Sequence, residues 1–249
     1  MTQDLPIVLL HTDAPDAARA ILTAAHPDLA VHCCDSYAGL PVALAETRAE
    51  VVYSVRFAGT PGFPRQPLVE SANVRWVSVG GSGTDHLAPW NPAQVTVTNA
   101  AGVASGMMAE YALGTMLSFS LDLRVFARAQ VLHRWGGGQV SMIEGRTLLI
   151  LGLGHTGCAA AQRAKAMGMT VLGVRARARP TEHVEEVYGM DALPDLWPRA
   201  DYVLVCVPLL PLTRGLVGAD ALQAMKPGAV LIDVSRGGVV VEAALIRAL

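Results

Sequence analysis

The sequence predicts an α/β fold of two doubly wound domains on mostly parallel sheets, and three observations carry that prediction. Apolar runs of strand length alternate with segments of helical period along the chain. Three glycines, Gly152, Gly154 and Gly157, lie between one such run and one such helix. Hydrophobic residues make up 52% of the 249 residues and charged residues 16%, the balance of a packed globular protein rather than a disordered chain.

The first series alternates PIVLLHT (6–12), DAARAILTAA (16–25), AVHCC (30–34), PVALAET (41–47), VVYSV (51–55) and VRWVSVG (74–80). GTPGFPRQP (59–67) is too rich in Gly and Pro for either element and reads as a loop. A second series begins after VTVTNAAG (95–102). Helical periodicity runs through MMAEYALGTMLSF and LRVFARAQVL and stops at WGGGQ (135–139), since three glycines in a row are costly in a helix. Strand and helix alternate again from Thr147 to VVVEAALIRAL (239–249), which reads as a helix with no capping or stop signal. The domain boundary falls near residue 100, giving domains 1–99 and 100–249, with no internal repeat and no low-complexity tract.

A net charge of -2, from 19 basic and 21 acidic residues, provides no whole-chain field for nucleic acid or an anionic membrane. A small-molecule partner is the default. The start, MTQDLPIVLL, has no basic n-region, and the apolar runs at 51–55, 148–151 and 203–210 are too short to span a bilayer, so the expected location is cytoplasmic. Cys33, Cys34, Cys158 and Cys206 include an adjacent pair unsuited to an ordinary bridge, and none has metal-ligand spacing. They read as small, buried, reduced thiols, with no metal site.

The segment LLILGLGHTGCAAAQRAKAMGMTVLGVRARARP (148–180) carries the clearest chemistry. TLLIL is a buried strand before the glycines, and HTGCAAAQRAKAM is a helix after them, closed by Gly168. Gly152 permits the tight turn, Gly154 admits a pyrophosphate close to the backbone, and Gly157 lets helix and strand pack closely. The helix N-terminus offers N–H groups and a positive dipole end to phosphates. After the next strand, dinucleotide-binding proteins that take NAD present an acid to the ribose 2′-hydroxyl. Here Arg175 stands in that place, followed by Arg177 and Arg179. A guanidinium accepts a 2′-phosphate through paired charge-assisted hydrogen bonds, so the expected cofactor is NADP. Arg175 is the firmest of the three, as Arg177 and Arg179 fit water equally well.

From about Val74 to Leu249 the chain resembles the D-isomer-specific 2-hydroxyacid dehydrogenase family, in particular its NADP-using glyoxylate and hydroxypyruvate reductase-like members. VGGSGTDHL (79–87) is similar to the family's substrate loop, VTNAAGVASGMMAEYAL (97–113) to its hinge and first cofactor-domain helix, and GRTLLILGLGHTG (145–157) to its nucleotide signature. ADYVLVCVPLLPLTRGLV (200–217) and MKPGAVLIDVSRGGVV (225–240) are similar to its two later signatures. The resemblance implies a flavodoxin-like substrate domain over 1–99 and a Rossmann NADP-binding domain over 100–249, incomplete at the C-terminus. It implies cofactor contacts at Gly152, Gly154, His155, Thr156, Gly157, Arg175, Arg177, Cys206, Val207, Pro208, Thr213, Val234 and Ser235, and a substrate-carboxylate loop at Gly81, Ser82 and Gly83. A plain tight turn would explain GGSG equally, and a turn-forming threonine would explain Thr213. His86 reads as structural. Arg236, just past a strand end, is the implied catalytic residue, holding and polarising a 2-keto acid. Asp233 stands where the family more often has Asn, leaving open whether it pairs with Arg236 or points away.

The implied activity is hydride transfer between NADP(H) and a small 2-keto or 2-hydroxy acid, by a homodimer that meets through residues 103–135. Trp135 then either reaches the partner or anchors an element end. In the family a Glu and the proton-donating His lie beyond the arginine motif, and the chain ends thirteen residues after Arg236. The expectation is a cofactor-holding chain without an identifiable proton donor, as an incomplete record of a longer reductase. The alternatives are a non-catalytic NADP(H)-binding sensor or dimerisation module, and a different NADP-linked reductase on the same scaffold.

Overall fold

A computed structural model describes residues 5–249 and divides the chain into two compact units, Met1–Ala101 and Gly102–Leu249. In unit 1 the chain runs through β1 (Val8–His11), α1 (Pro15–Ala25), β2 (Val31–Cys34), α2 (Leu40–Thr47), β3 (Val51–Ser54), α3 (Arg65–Glu70), β4 (Trp76–Val79) and β5 (Thr96–Asn99). All strand pairs are parallel, in the order β2-β1-β3-β4-β5. Every residue of β1 is buried, which is why Val8–Leu10 are continuously apolar rather than alternating, with His11 the one polar residue at its end. Leu9, Val52 and Val77 meet Leu40, Leu44 and Leu68 of the α2–α3 side to form the core of this unit.

The segment 59–67 departs from the expected loop, because α3 begins at Arg65 and carries Pro67 in its first turn. The first N–H groups of a helix have no intrahelical partner, so proline costs nothing there. Arg65 also stabilises the start by donating from Nε to the Leu87 carbonyl at 2.7 Å.

Unit 2 opens with two helices, α4 (Ser105–Ser120) and α5 (Leu123–Val131), and then winds through β6 (Thr147–Leu151), α6 (His155–Ala166), β7 (Thr170–Val174) and β8 (Glu186–Tyr188). It continues through α7 (Leu193–Leu196), β9 (Tyr202–Val205), α8 (Ala219–Ala224), β10 (Val230–Asp233) and α9 (Glu242–Ala248). The sheet order is β10-β9-β6-β7-β8, again all parallel. This is the doubly wound dinucleotide-binding order, whose winding reverses between β6 and β9. Leu148 and Ile150 face α4 and α6 through Ala109, Ala112, Ala160, Ala161 and Ala164, while Leu149 and Leu151 face Leu196 and Trp197. The alanines let α4 and α6 lie close to each other and to the sheet.

Strand β8 has no signature in the sequence pattern, since EVY is short and carries a charge. It holds the sheet edge through side chains: Arg199 pairs with Glu186 at 2.6 Å and donates to the Tyr188 hydroxyl at 2.9 Å.

A Cβ built on Gly157 would lie 2.0 Å from the Gly152 carbonyl oxygen, a backbone atom that has nowhere to go. Gly157→Ala should therefore destabilise unit 2 by about 3 kcal/mol or more. A urea unfolding midpoint equal to that of the parent would contradict this packing.

Candidate functional site

The carboxyl ends of β6 and β9 bracket the reversal point of unit 2, the place where open α/β sheets bind ligands. Gly152 leaves β6 with φ +103°, and a Cβ there would meet the Cys206 carbonyl at 3.1 Å and Val207 Cγ1 at 3.0 Å. Gly154 is extended and faces open space, with no atom within 4 Å of the point a Cβ would occupy. It is also the N-cap of α6, and having no side chain it leaves the first-turn N–H groups at His155, Thr156 and Gly157 uncapped. The His155 ring itself lies 3.2 Å from where a Cβ on Gly102 would be. Together these residues fit a pyrophosphate: one glycine turns, one stays open, and one is filled against backbone.

Arg175 follows β7 directly, its N–H bonded to the Tyr188 carbonyl at 3.1 Å. Its side chain is half-buried, whereas Arg177 and Arg179 are exposed. Among the described residues none of the three enters an ion pair. The Glu186 carboxylate on the neighbouring strand is taken by Arg199 and Tyr188. That strand end consequently presents net positive charge.

After β9, the Cys206 thiol lies 3.0 Å from the Gly152 carbonyl. Burial pushes this thiol up to about 12, so it stays protonated and donates. Val207 is buried and Pro208 ends the strand's hydrogen bonding. Thr213 is buried as well, donating to the Pro208 carbonyl at 2.6 Å and accepting from the Leu210 N–H at 2.8 Å. Its hydroxyl shapes the 208–213 loop.

After β10, the Val234 N–H bonds the Val205 carbonyl at 3.0 Å, continuing the sheet by one residue. Asp233 Oδ1 accepts from the Ser235 N–H at 2.8 Å and from its hydroxyl at 2.5 Å, so Asp233 folds the turn that presents Arg236. Arg236 is half-buried and donates from Nη1 to the Ser235 carbonyl at 2.9 Å.

In unit 1, a Cβ on Gly80 would strike Val55 at 2.3 Å and the Tyr53 hydroxyl at 2.6 Å, which fixes glycine at the end of β4. The Gly81 carbonyl accepts from the Ala100 N–H at 3.1 Å and the Ser82 carbonyl from Asn99 Nδ2 at 2.7 Å. Among the described residues nothing accepts from the N–H groups of Gly81, Ser82 or Gly83. These donors suit a carboxylate. His86 packs edge-on against Phe63, with centroids 4.6 Å apart.

One cluster escapes sequence reasoning. His11 ends β1 with 0% exposure, its Nδ1 2.9 Å from Ser54 Oγ at the end of β3. The Phe57 ring lies 4.9 Å from the imidazole and the Tyr37 ring 5.6 Å. A polar residue closing each of two buried strands, HT after PIVLL and S after VVY, is the available signal.

Residues 113–249 match the family model described as D-isomer specific 2-hydroxyacid dehydrogenase, NAD binding domain. The chain belongs to the D-isomer-specific 2-hydroxyacid dehydrogenase family. It is similar to a D-3-phosphoglycerate dehydrogenase of Methanocaldococcus jannaschii, 30% identical over 191 residues that cover 74% of this chain and 36% of that one. It is also similar to a glycerate dehydrogenase of Methylorubrum extorquens, 31% identical over 195 residues, covering 73% of this chain and 59% of that one. The chain thus spans 36% and 59% of the length of these two curated relatives, less than two thirds of either. Among solved structures, a D-isomer specific 2-hydroxyacid dehydrogenase from Xanthobacter autotrophicus Py2 in complex with NADPH and MES aligns with a TM-score of 0.79 at 30% identity, covering 98% of this chain and 77% of that one. Among the described residues no helix is long and apolar enough to cross a membrane.

Burial lowers the pKa of His11 from its ordinary 6.5 to about 4, opposed by the Ser36 backbone, so the folded protein keeps this ring neutral where the unfolded chain would protonate it. Above pH 6.5 both states are neutral and the group contributes no pH dependence; stability is lost as pH falls from 6.5 to about 4, by about 3 kcal/mol in full. Urea unfolding at pH about 7 and about 4.5 should show this loss in the parent, and His11→Phe should remove it.

Proposed function

We propose that the protein transfers hydride between NADP(H) and a small 2-keto or 2-hydroxy acid, as a reductase of the glyoxylate or hydroxypyruvate type. The observation that carries the reading is Arg175, a cation with no ion-pair partner among the described residues, at the end of β7, where a carboxylate would favour NAD. A family member that aligns over 98% of the chain was solved with NADPH, which supports the same choice.

In this reading unit 2 is the NADP-binding domain. The uncapped start of α6 takes the pyrophosphate, Arg175 with Arg177 takes the 2′-phosphate, and Cys206, Val207, Pro208, Thr213, Val234 and Ser235 line the rest of the cofactor's course. NADPH bound there supplies the hydride. Arg236 holds the keto acid and polarises its carbonyl, which lowers the barrier by stabilising charge that develops on that oxygen. Unit 1 is the substrate domain, where the N–H groups of Gly81, Ser82 and Gly83 receive the substrate carboxylate. The protein is read as cytoplasmic.

We also propose a homodimer formed through α4, α5 and the following loop. Met107, Tyr111, Val131 and Leu132 are exposed there, and Trp135, at 105% relative exposure, is not anchored against its own chain. A surface so apolar marks an interface.

Arg175→Asp should weaken NADPH binding by at least about tenfold relative to NADH, read by fluorescence titration of both. An unchanged preference would sink the assignment. Gly154→Ala should keep the parent's unfolding midpoint yet weaken NADPH binding, because its methyl enters space that only a ligand would fill. Light scattering should give twice the chain mass, and Met107→Arg with Tyr111→Arg should give the monomer.

A further inference from the structure

His155 is the first residue of α6, so its side chain leaves the helix beside the uncapped N–H groups of the first turn. It is exposed, and among the described residues neither ring nitrogen takes part in a hydrogen bond. The ring is nevertheless not loose. Its Cγ, Nδ1 and Cδ2 lie 3.2, 3.3 and 3.4 Å from the point a Cβ on Gly102 would occupy. Distances so nearly equal place that point over the face of the imidazole, so the ring lies flat across the glycine.

Gly102 has no room to draw back. Its carbonyl accepts from the Ser105 N–H at 3.0 Å and from the Ser105 hydroxyl at 2.6 Å, which ties it to the start of α4. Helix α4 is in turn held against α6, where Arg163 pairs with Glu110 at 3.4 Å and Ala109, Ala112, Ala160 and Ala161 share one buried cluster. The imidazole and the surface beneath it therefore belong to one packed pair of helices. Gly102 has φ +91°, so backbone conformation and contact with the ring both require glycine there.

We propose that Gly102 is a positioning residue for the dinucleotide pyrophosphate: its bare Cα is the seat on which the His155 ring lies, and that seat turns a ring nitrogen toward phosphate oxygens held at the start of α6. The inference rests on the dinucleotide-binding reading above and adds to it a residue from before α4. A neutral imidazole carries one N–H, which a phosphate oxygen accepts, and with the ring's face against Gly102 only its edge can meet a ligand. A histidine already held in one orientation loses less side-chain entropy on binding than one that is free to turn. NADPH and NADH share the pyrophosphate, so the seat strengthens both alike, whereas Arg175 distinguishes them.

Isothermal titration with NADPH and with NADH tests this without requiring turnover. His155→Ala should weaken both by about fivefold, the net worth of one hydrogen bond. Gly102→Ala should weaken both by a similar factor and leave the preference between them unchanged. Alanine is strained at φ +91° whatever surrounds it, so the double variant carries the decision. It should bind no more weakly than His155→Ala, because without the ring the seat holds nothing; independent losses would multiply to about 25-fold. Gly102→Asn brings a Cβ with a residue that tolerates positive φ, and serves in the same cycle if the alanine variant does not fold. Multiplying losses, a His155→Ala variant or a folded Gly102→Asn variant that binds like the parent, or a Gly102 effect confined to one dinucleotide would overturn the seat and leave dinucleotide binding intact. A parent that binds neither dinucleotide would overturn both.

Discussion

The close approach of α6 to the end of β6 is the constraint on which the nucleotide half of this protein depends. With the Gly152 oxygen 2.0 Å from where a Gly157 Cβ would stand, the helix can start only where residue 157 has no side chain. That approach directs the first turn of α6 toward the carboxyl edge of the sheet. The row of alanines at 159–161 continues the same close fit along the helix, and Gly106 of α4 leaves room for Arg163 on the other side. The open environment of Gly154 is a consequence of the filled ones at Gly152 and Gly157: two glycines are spent on packing so that the third can remain accessible.

Much of this is legible in the sequence, because each glycine role has a separate steric cause and because strand, glycines and helix occur in one order. The alternation of apolar runs with helical segments likewise conveys both parallel sheets. What escapes has physical reasons too. Strand β8 is held by Arg199, Glu186 and Tyr188 rather than by apolar pattern, and a three-residue strand is too short to show a period. Helix α3 is hidden by Pro67, a residue that argues against helix everywhere except in the first turn, where it sits. Asp233 can be placed only by geometry, as its bond to Ser235 spans two residues and competes with the equally reachable Arg236.

His11 illustrates a further limit of pattern reading. As the last residue of an apolar run it looks like the point where burial ends, yet it is fully enclosed. Its enclosure comes from Tyr37, Phe57 and Phe63, which lie outside the strands and in sequence show no relation to it. Only the sheet order, which sets β1 beside β3, makes Ser54 its partner.

The two sheets reach the same kind of edge with opposite electrostatics. At the end of β7 the arginines outnumber available carboxylates, since Glu186 is already engaged, and the edge is suited to an anion whose charge it meets with guanidinium groups. At the ends of β1 and β3 the titratable group is held neutral by burial, and the surrounding rings exclude charge. A single edge could not hold both conditions: the desolvation that keeps His11 uncharged would weaken an arginine's welcome for an anion, and the solvent access that suits the arginines would admit water to the aromatic cluster. Two sheets, each with its own reversal point, let one chain hold both conditions.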